Sequence, residues 1–258
     1  MIVIVMENKD FRDLIGNPDA PYINSLASRY GLALDYHAIT HPSLPNYLAL
    51  LGGSTFGIDS NCTDCHVDAP TLVDRLEDAG ISWKAYMEGA PSPCFKGAVV
   101  GRYAKKHNPF MYFDGIAGEP ARCSRVVPFD ELDRDLAGGG LARFVWITPD
   151  LCHDMHDCGI AGGDRFLKGL IPKLLPTLHP DGALFLTWDE SSSRTGKDGG
   201  RIATIVAGPK VRRGFRSSVR YTHYSLLHTI EESWGLPSLI HSSCACSLSM
   251  RAFFRSWP

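Results

Sequence analysis

Residues 1–8 read Met1-Ile2-Val3-Ile4-Val5-Met6-Glu7-Asn8, and residues 183–190 read Ala183-Leu184-Phe185-Leu186-Thr187-Trp188-Asp189-Glu190. Both are short, almost unbroken apolar runs that stop abruptly at acids. A run without polar alternation suits a strand buried on both faces, as in a parallel sheet covered by helices. The first run predicts a strand at Ile2–Met6 and the second one at Ala183–Trp188; similar runs predict strands at Leu32–Ile39, Trp83–Met87, Phe144–Thr148 and Ala203–Ala207. Between them, amphipathic spacing predicts helices over Ala20–Arg29, Thr71–Ala79, Asp164–Leu175 and Tyr224–Trp234. Thr71 and Asp164 are the expected N-caps, and Gly80 and Gly235 the expected C-terminal stops. The alternation predicts an α/β fold, a three-layer α/β/α sandwich with a mainly parallel sheet, in one domain over 1–258.

In open parallel sheets, ligands bind beyond the carboxyl ends of the strands. Here those ends carry Glu7-Asn8, Thr40-His41-Pro42-Ser43, Pro149-Asp150 with the cluster His153-Asp154-Met155-His156-Asp157, and Asp189-Glu190. Four strands thus deliver reactive groups to one edge. Glu7, Asn8, Asp189 and Glu190 offer oxygen ligands only, a set that suits one divalent cation of the Ca²⁺, Mg²⁺ or Mn²⁺ kind, with Zn²⁺ as a further candidate. Ser43 precedes a helical run at Tyr47–Leu51, where a helix dipole favours an anion. A serine there is an ordinary helix cap by itself; beside two acid pairs it is a candidate nucleophile. Asn46 either donates to a phosphate oxygen or caps the turn. His107, His156 and His223, with Asp157, are candidates for proton transfer and oxyanion contact. His37, His41, His66, His179, His228 and His241 are expected to lie outside the site.

Eight cysteines in 258 residues point to disulfides and an oxidising, extracytoplasmic compartment. The expected pairs are Cys62–Cys65, Cys94–Cys123 and Cys152–Cys158, each closing a polar or Gly/Pro-rich loop, with Cys244–Cys246 left as a strained remainder. Cys62-Thr63-Asp64-Cys65-His66 matches the c-type haem pattern, but its polar loop favours a disulfide. Gly138-Gly139-Gly140 precedes a strand and lacks the lysine of a nucleotide-binding loop, so it reads as a turn. The apolar start reads as a core strand and not as a signal peptide, so a leader is expected to have been removed or to lie outside this chain. A formal net charge of −2 gives no bulk attraction to nucleic acid, and no apolar run reaches the ~20 residues of a membrane span. Oligomeric state is left open.

The stretches IVIVMENKD (2–10), APYINSLASRYG (20–31), THPSLPNYLALLGG (40–53), YAKKHNPF (103–110), ITPDLCHDMHDC (147–158), GDRFLKGLIPKLL (163–175), LFLTWDE (184–190) and THYSLLHTIEESWGLP (222–237) cover nearly the whole chain in order. Together they resemble the secreted phosphoesterases of the alkaline-phosphatase-like superfamily, which include acid phosphatases and phospholipase C type enzymes. Within that family the chain looks closest to the short acid phosphatases and is similar to the mycobacterial secreted phosphatase acting on phosphatidylinositol 3-phosphate. The resemblance implies one principal metal held by Glu7, Asn8, Asp189 and Glu190, Ser43 as nucleophile, and His107, His156, Asp157 and His223 in the pocket. His153 stands where relatives commonly carry Asn, and beside Asp154 it is a candidate either for a second metal site or for a shifted pH optimum. Ser191–Gly200 reads as a mobile rim loop. Phe110, Tyr112 and Phe113 either grip a headgroup at the rim or fill the core.

The expected activity is metal-dependent phosphomonoester hydrolysis through a phosphoserine, with His156 or His223 protonating the leaving oxygen. The substrate class is a small-molecule or lipid-headgroup phosphate ester. A phosphodiesterase or phospholipase C on the same core is the near alternative. A metal-dependent binding protein without catalysis is the distant one.

Overall fold

The acid-terminated runs become the middle of an eight-stranded sheet. The computed structural model describes residues 1–194, 198–243 and 247–256. In chain order the strands are β1 Ile2–Met6, β2 Gly31–His37, β3 Trp83–Met87, β4 Val126–Pro128, β5 Phe144–Thr148, β6 Leu184–Trp188, β7 Arg201–Ala207 and β8 Arg216–Thr222. Their order across the sheet is β8-β2-β7-β6-β1-β5-β3-β4. Every neighbouring pair is parallel except those made by β7, which runs against both β2 and β6. β1, β5 and β6 are buried along their whole length, as unbroken apolar runs require.

The main helices are α1 Pro21–Arg29, α2 Ser43–Gly52, α3 Leu72–Asp78, α4 Asp130–Ala137, α5 Ile160–Leu174 and α6 His223–Ser233. α1 packs on α5, and α2 packs on α6 and α3, so the sheet lies in the middle of a three-layer α/β/α sandwich. Thr71 caps α3 as expected: its hydroxyl accepts from the Val73 N–H at 3.1 Å, and Asp74 accepts the Thr71 N–H at 2.7 Å. Gly80 and Gly235 follow α3 and α6 with φ of 68° and 64°, a conformation that glycine adopts without strain.

Asp164 is a correction. α5 starts at Ile160 after Gly159, so Asp164 sits inside the helix and does not cap it. Its buried carboxylate instead accepts the N–H groups of Tyr22 and Ile23 at 3.1 and 2.8 Å. It therefore caps the first turn of α1, whose own N-cap, Ala20, has no side-chain acceptor. Phe110, Tyr112 and Phe113 are fully buried and belong to the core, not to a rim.

Cys62–Cys65, Cys94–Cys123 and Cys152–Cys158 are bridged as expected. Cys244 and Cys246 lie outside the described residues. Among those residues, no helix is long and apolar enough to cross a membrane.

Candidate active site

The parallel strands end on a common edge, and the site forms where β1, β2, β5 and β6 terminate. β1 ends in Glu7, fully buried, and β6 in Asp189 and Glu190, both almost fully buried. β2 is followed by the turn into α2, whose first residue is Ser43. The helix thus begins four residues earlier than Tyr47, and Ser43 occupies its first position. The Ser43 hydroxyl is 3.2 Å from Glu7 Oε2 and 3.2 Å from Glu190 Oε1. Tyr47, one turn along α2, donates its hydroxyl to Glu7 Oε1 at 2.6 Å.

Asn8 adopts φ 50°, in the left-handed region that Asn tolerates better than most residues. In that turn its N–H donates to Asp189 Oδ1 at 3.0 Å and its amide to Glu7 Oε2 at 2.9 Å. Asp189 Oδ2 is buried without a donor, as is Asp154 Oδ2. Burial and repulsion from Glu7 and Glu190 hold the Asp189 carboxyl well above its ordinary range. Burial also raises Glu190, although His41 works against it. Glu7 goes the other way: burial raises it, but the charge of His107 and hydrogen bonds from His107 and Tyr47 outweigh that. A buried carboxylate oxygen without a donor suits a hard cation, and Glu7, Asn8 and Glu190 are the oxygen-bearing groups gathered around Asp189.

His107 lies on a 3₁₀ turn, Lys105–His107, and reaches into the same cluster. Its Nε2 is 3.2 Å from Glu7 Oε1 and its Nδ1 3.3 Å from Asp154 Oδ2. These are charge contacts more than aligned hydrogen bonds, because neither His107 Nε2 nor Asp154 Oδ2 meets hydrogen-bond geometry. Burial would lower the imidazole, but Glu7 and Asp154 raise it to about 9. Asp154 itself rises to about 6, through burial and the nearby Glu7.

The two other histidines divide. His223 is fully buried at the start of α6, donating Nε2–H to the Asp189 carbonyl at 2.6 Å and accepting from Tyr36 at Nδ1, 3.2 Å away. Burial lowers it to about 4, which favours the neutral ring in this arrangement. His156 is on the loop closed by Cys152–Cys158, with its side chain 31 % exposed. Its Nδ1 meets Asp157 Oδ1 at 2.6 Å and its Nε2 the Lys106 ammonium at 3.2 Å. Its ring centroid lies 5.8 Å from that of His107.

Asn46 is fully buried, and its amide is fully engaged. Oδ1 accepts the N–H groups of Ile39 and Thr40, while Nδ2 donates to the carbonyls of Thr40 and Pro42. Of its two readings, the turn clamp is the one that this geometry allows. The α2 N-terminus also offers fewer donors than a helix start ordinarily does. Pro45 has no N–H, and the Leu44 N–H is taken by Asn61 Oδ1 at 3.0 Å.

His41 was expected outside the site, and the structure places it inside: its Nδ1 donates to Glu190 Oε2. The signal was its position two residues before Ser43. His153 is not partnered with Asp154. It meets Glu88 Oε1 at 2.8 Å, lies 3.7 Å from Asp150 Oδ1, and stacks on Phe166. The acids it joins are therefore Glu88 and Asp150 in place of Asp154, and ligand atoms of Glu88, Asp150 and His153 lie within 4.8 Å of one another. In the rim loop, Ser192 and Ser193 are tied to Asp10, so the start of Ser191–Gly200 is anchored; residues 195–197 lie outside the described residues.

A family model described as the Phosphoesterase family matches residues 16–237. A phosphatidylinositol-3-phosphatase of Mycobacterium tuberculosis is 34 % identical over 239 residues, covering 92 % of this chain and 77 % of the relative. An acid phosphatase of Aspergillus fumigatus is 32 % identical over 256 residues, covering 94 % of this chain and 56 % of the relative. The chain thus spans little more than half the length of that fungal relative. Among solved structures, an alkaline phosphatase superfamily protein from Vibrio parahaemolyticus superposes with a TM-score of 0.62 at 12 % identity, over 92 % of this chain and 67 % of that one. Human ectonucleotide pyrophosphatase/phosphodiesterase 5 superposes with a TM-score of 0.66 at 10 % identity, over 99 % of this chain and 100 % of that one. At such identities the superpositions speak for the fold.

Proposed function

Because the chain belongs to the Phosphoesterase family, we propose that it hydrolyses phosphate monoesters with Ser43 as the nucleophile. The observation that carries this reading is the Ser43 hydroxyl held between Glu7 and Glu190 at 3.2 Å from each. Relatives named acid phosphatase and phosphatidylinositol-3-phosphatase support a monoester substrate, either a small molecule or a lipid headgroup. Three disulfides support an extracytoplasmic setting.

Glu7, Asn8, Asp189 and Glu190 would hold one divalent cation of the Ca²⁺, Mg²⁺ or Mn²⁺ kind. When bound, such an ion supplies Lewis-acid stabilisation of phosphoryl charge and favours an ionised serine. Ser43 passes its proton to one of the two carboxylates that it touches, and Oγ bonds to phosphorus as the ester P–O bond breaks. The leaving oxygen takes a proton from His156 Nε2, while Asp157 holds Nδ1 and fixes the ring. Lys106, which meets that Nε2 in this structure, moves to a phosphoryl oxygen when substrate enters. Water then attacks phosphorus with His156 taking its proton, the P–Oγ bond breaks, and the carboxylate returns its proton to Ser43 Oγ as phosphate departs. Two in-line displacements give net retention at phosphorus. His107, kept cationic by Glu7 and Asp154, faces the accumulated negative charge. His223 and Asn46 act as supports, one under Asp189 and the other under the turn that presents Ser43.

The test is turnover of para-nitrophenyl phosphate against its bis-ester, after chelation and re-addition of single cations, with wild type and Ser43→Ala. Monoester turnover restored by a cation and absent from the variant supports the reading. Preference for the bis-ester replaces it with a diesterase, and a fully active Ser43→Ala removes the nucleophile.

A further inference from the structure

The segment between Cys94 and the catalytic edge carries a feature that hydrolysis does not need. Val99–Val100 and Tyr103–Ala104 form a small antiparallel hairpin, with Val99 paired to Ala104 and Val100 to Tyr103. Successive strand residues point to opposite faces, yet Val99 is 65 % and Val100 37 % exposed. Both faces of the hairpin therefore reach solvent at its tip. The base is firmly held. Tyr103 is buried, meets Phe95 edge-on at 5.4 Å, and its hydroxyl receives the Asn108 amide at 3.0 Å. The Arg102 carbonyl accepts the Leu151 N–H at 3.0 Å, which ties the hairpin to the loop that bears His156. The Cys94–Cys123 bridge anchors the segment from below.

Charge is distributed unevenly along this segment, although Asp64 acts on Lys105 from outside it. In a chain of net charge −2, residues 91–113 hold Lys96, Arg102, Lys105 and Lys106 and no Asp or Glu. Lys105 is turned inward, donating to the Thr63 carbonyl over the Tyr112 ring. Lys96, Arg102 and Lys106 have no ion-pair partner among the described residues, and Lys96 and Arg102 are exposed beside the two valines.

We propose that this hairpin docks the protein on an anionic lipid bilayer, with Val99 and Val100 entering the interface and Lys96 and Arg102 meeting lipid phosphates. Two valines are too little apolar area for a stable protein interface, which needs on the order of 1,000 Å² and matched shape. A bilayer demands no shape match, and it takes a shallow apolar insertion together with cations. Because the Arg102 carbonyl is bonded to the Leu151 N–H, docking here sets the membrane surface beside the loop that carries His156. The proposal rests on the phosphoesterase reading only for its purpose, since binding itself requires no turnover.

The experiment uses the Ser43→Ala protein, so that binding and hydrolysis are separated, and sediments it with vesicles of phosphatidylcholine alone or doped with phosphatidylserine. Retention on the doped vesicles, reversed by salt, is expected. Lys96→Gln lowers the binding constant about fivefold, the worth of one interfacial cation. Val99→Asp with Val100→Asp removes retention, whereas Val219→Asp, at an exposed valine on β8, leaves it intact. In the Ser43 background, the double valine variant turns over soluble para-nitrophenyl phosphate like wild type. Absence of retention on doped vesicles, or equal retention by the double valine variant, overturns the proposal even if soluble turnover is normal. Loss of soluble turnover in wild type, with retention intact, would instead strike the phosphoesterase reading.

Discussion

His41 donates through Nδ1 to Glu190 Oε2, two residues ahead of Ser43, so the turn that presents the nucleophile also grips one of the acids around it. Orientation of an acid by a neighbouring imidazole is a common means of tuning cation affinity. The His41→Gln variant is expected to keep its fold and to lose roughly 10–100-fold in cation retention. Elemental analysis after dialysis against a graded chelator series measures this without reference to turnover. Retention equal to wild type would reduce His41 to a loop contact.

Ser43→Ala removes an oxygen that sits between two carboxylates. Turnover of para-nitrophenyl phosphate is expected to fall by at least about a thousandfold, as for loss of a covalent nucleophile. The melting temperature should stay the same or rise, because nothing in α2 packing depends on that hydroxyl. Trapped phosphoenzyme, detected as a mass increase of the intact chain at acid quench, is expected for wild type alone.

Asp164 caps α1 from inside α5, and that contact is open to a stability test. Asp164→Ala frees two buried or half-buried N–H groups at the start of α1. The expected loss is ~1–3 kcal/mol of unfolding free energy, seen as a lower urea midpoint at unchanged slope. Activity per folded molecule should be unaffected, since α1 does not reach the acids.

Asp74 provides a pH-dependent test away from the active site. Burial works to raise its carboxyl, but the Thr71 N–H and hydroxyl and the Arg122 guanidinium outweigh it and hold the group below its ordinary 3.8. A folded value below the unfolded one gives stability that is complete above the unfolded value, about 3.9, and is lost as pH falls through the folded one. Asp74→Asn should therefore lower the urea midpoint at neutral pH. The wild-type and variant midpoints should converge on acidification below about pH 3. With both partners partly solvated, the ion-pair share is roughly 1 kcal/mol or less. A constant gap at every pH would assign the effect to packing.

Much of this arrangement was legible because parallel sheets write themselves in unbroken apolar runs. β1, β3 and β5 fall on their expected bounds, and the polar residues after the strands do converge. β8 escaped because Arg216-Ser217-Ser218-Val219-Arg220-Tyr221-Thr222 is an edge strand with four exposed positions and a register shift. β4 is only three residues long at the other edge. Within the site, the acids could be read because they directly follow strands. Asn61 and the true role of Asp164 could not, since each acts on a partner distant in sequence, and His41 had only its place two residues before Ser43 to mark it. Asn46 was recognised as important, but only the fold shows that all four of its hydrogen bonds are spent on the backbone of the preceding turn.

The reversed direction of β7 has one more outcome. Parallel neighbours must be joined by a crossover that carries the chain back along the whole sheet. The link from β6 to β7 makes no such journey: it leaves Glu190 and returns at Arg201 on the same edge. Its length is free of the geometric demand that fixes every helical crossover in the molecule. Residues can be added or exchanged there without re-threading the sheet, in a link that starts immediately after Glu190, whose carboxylate touches Ser43.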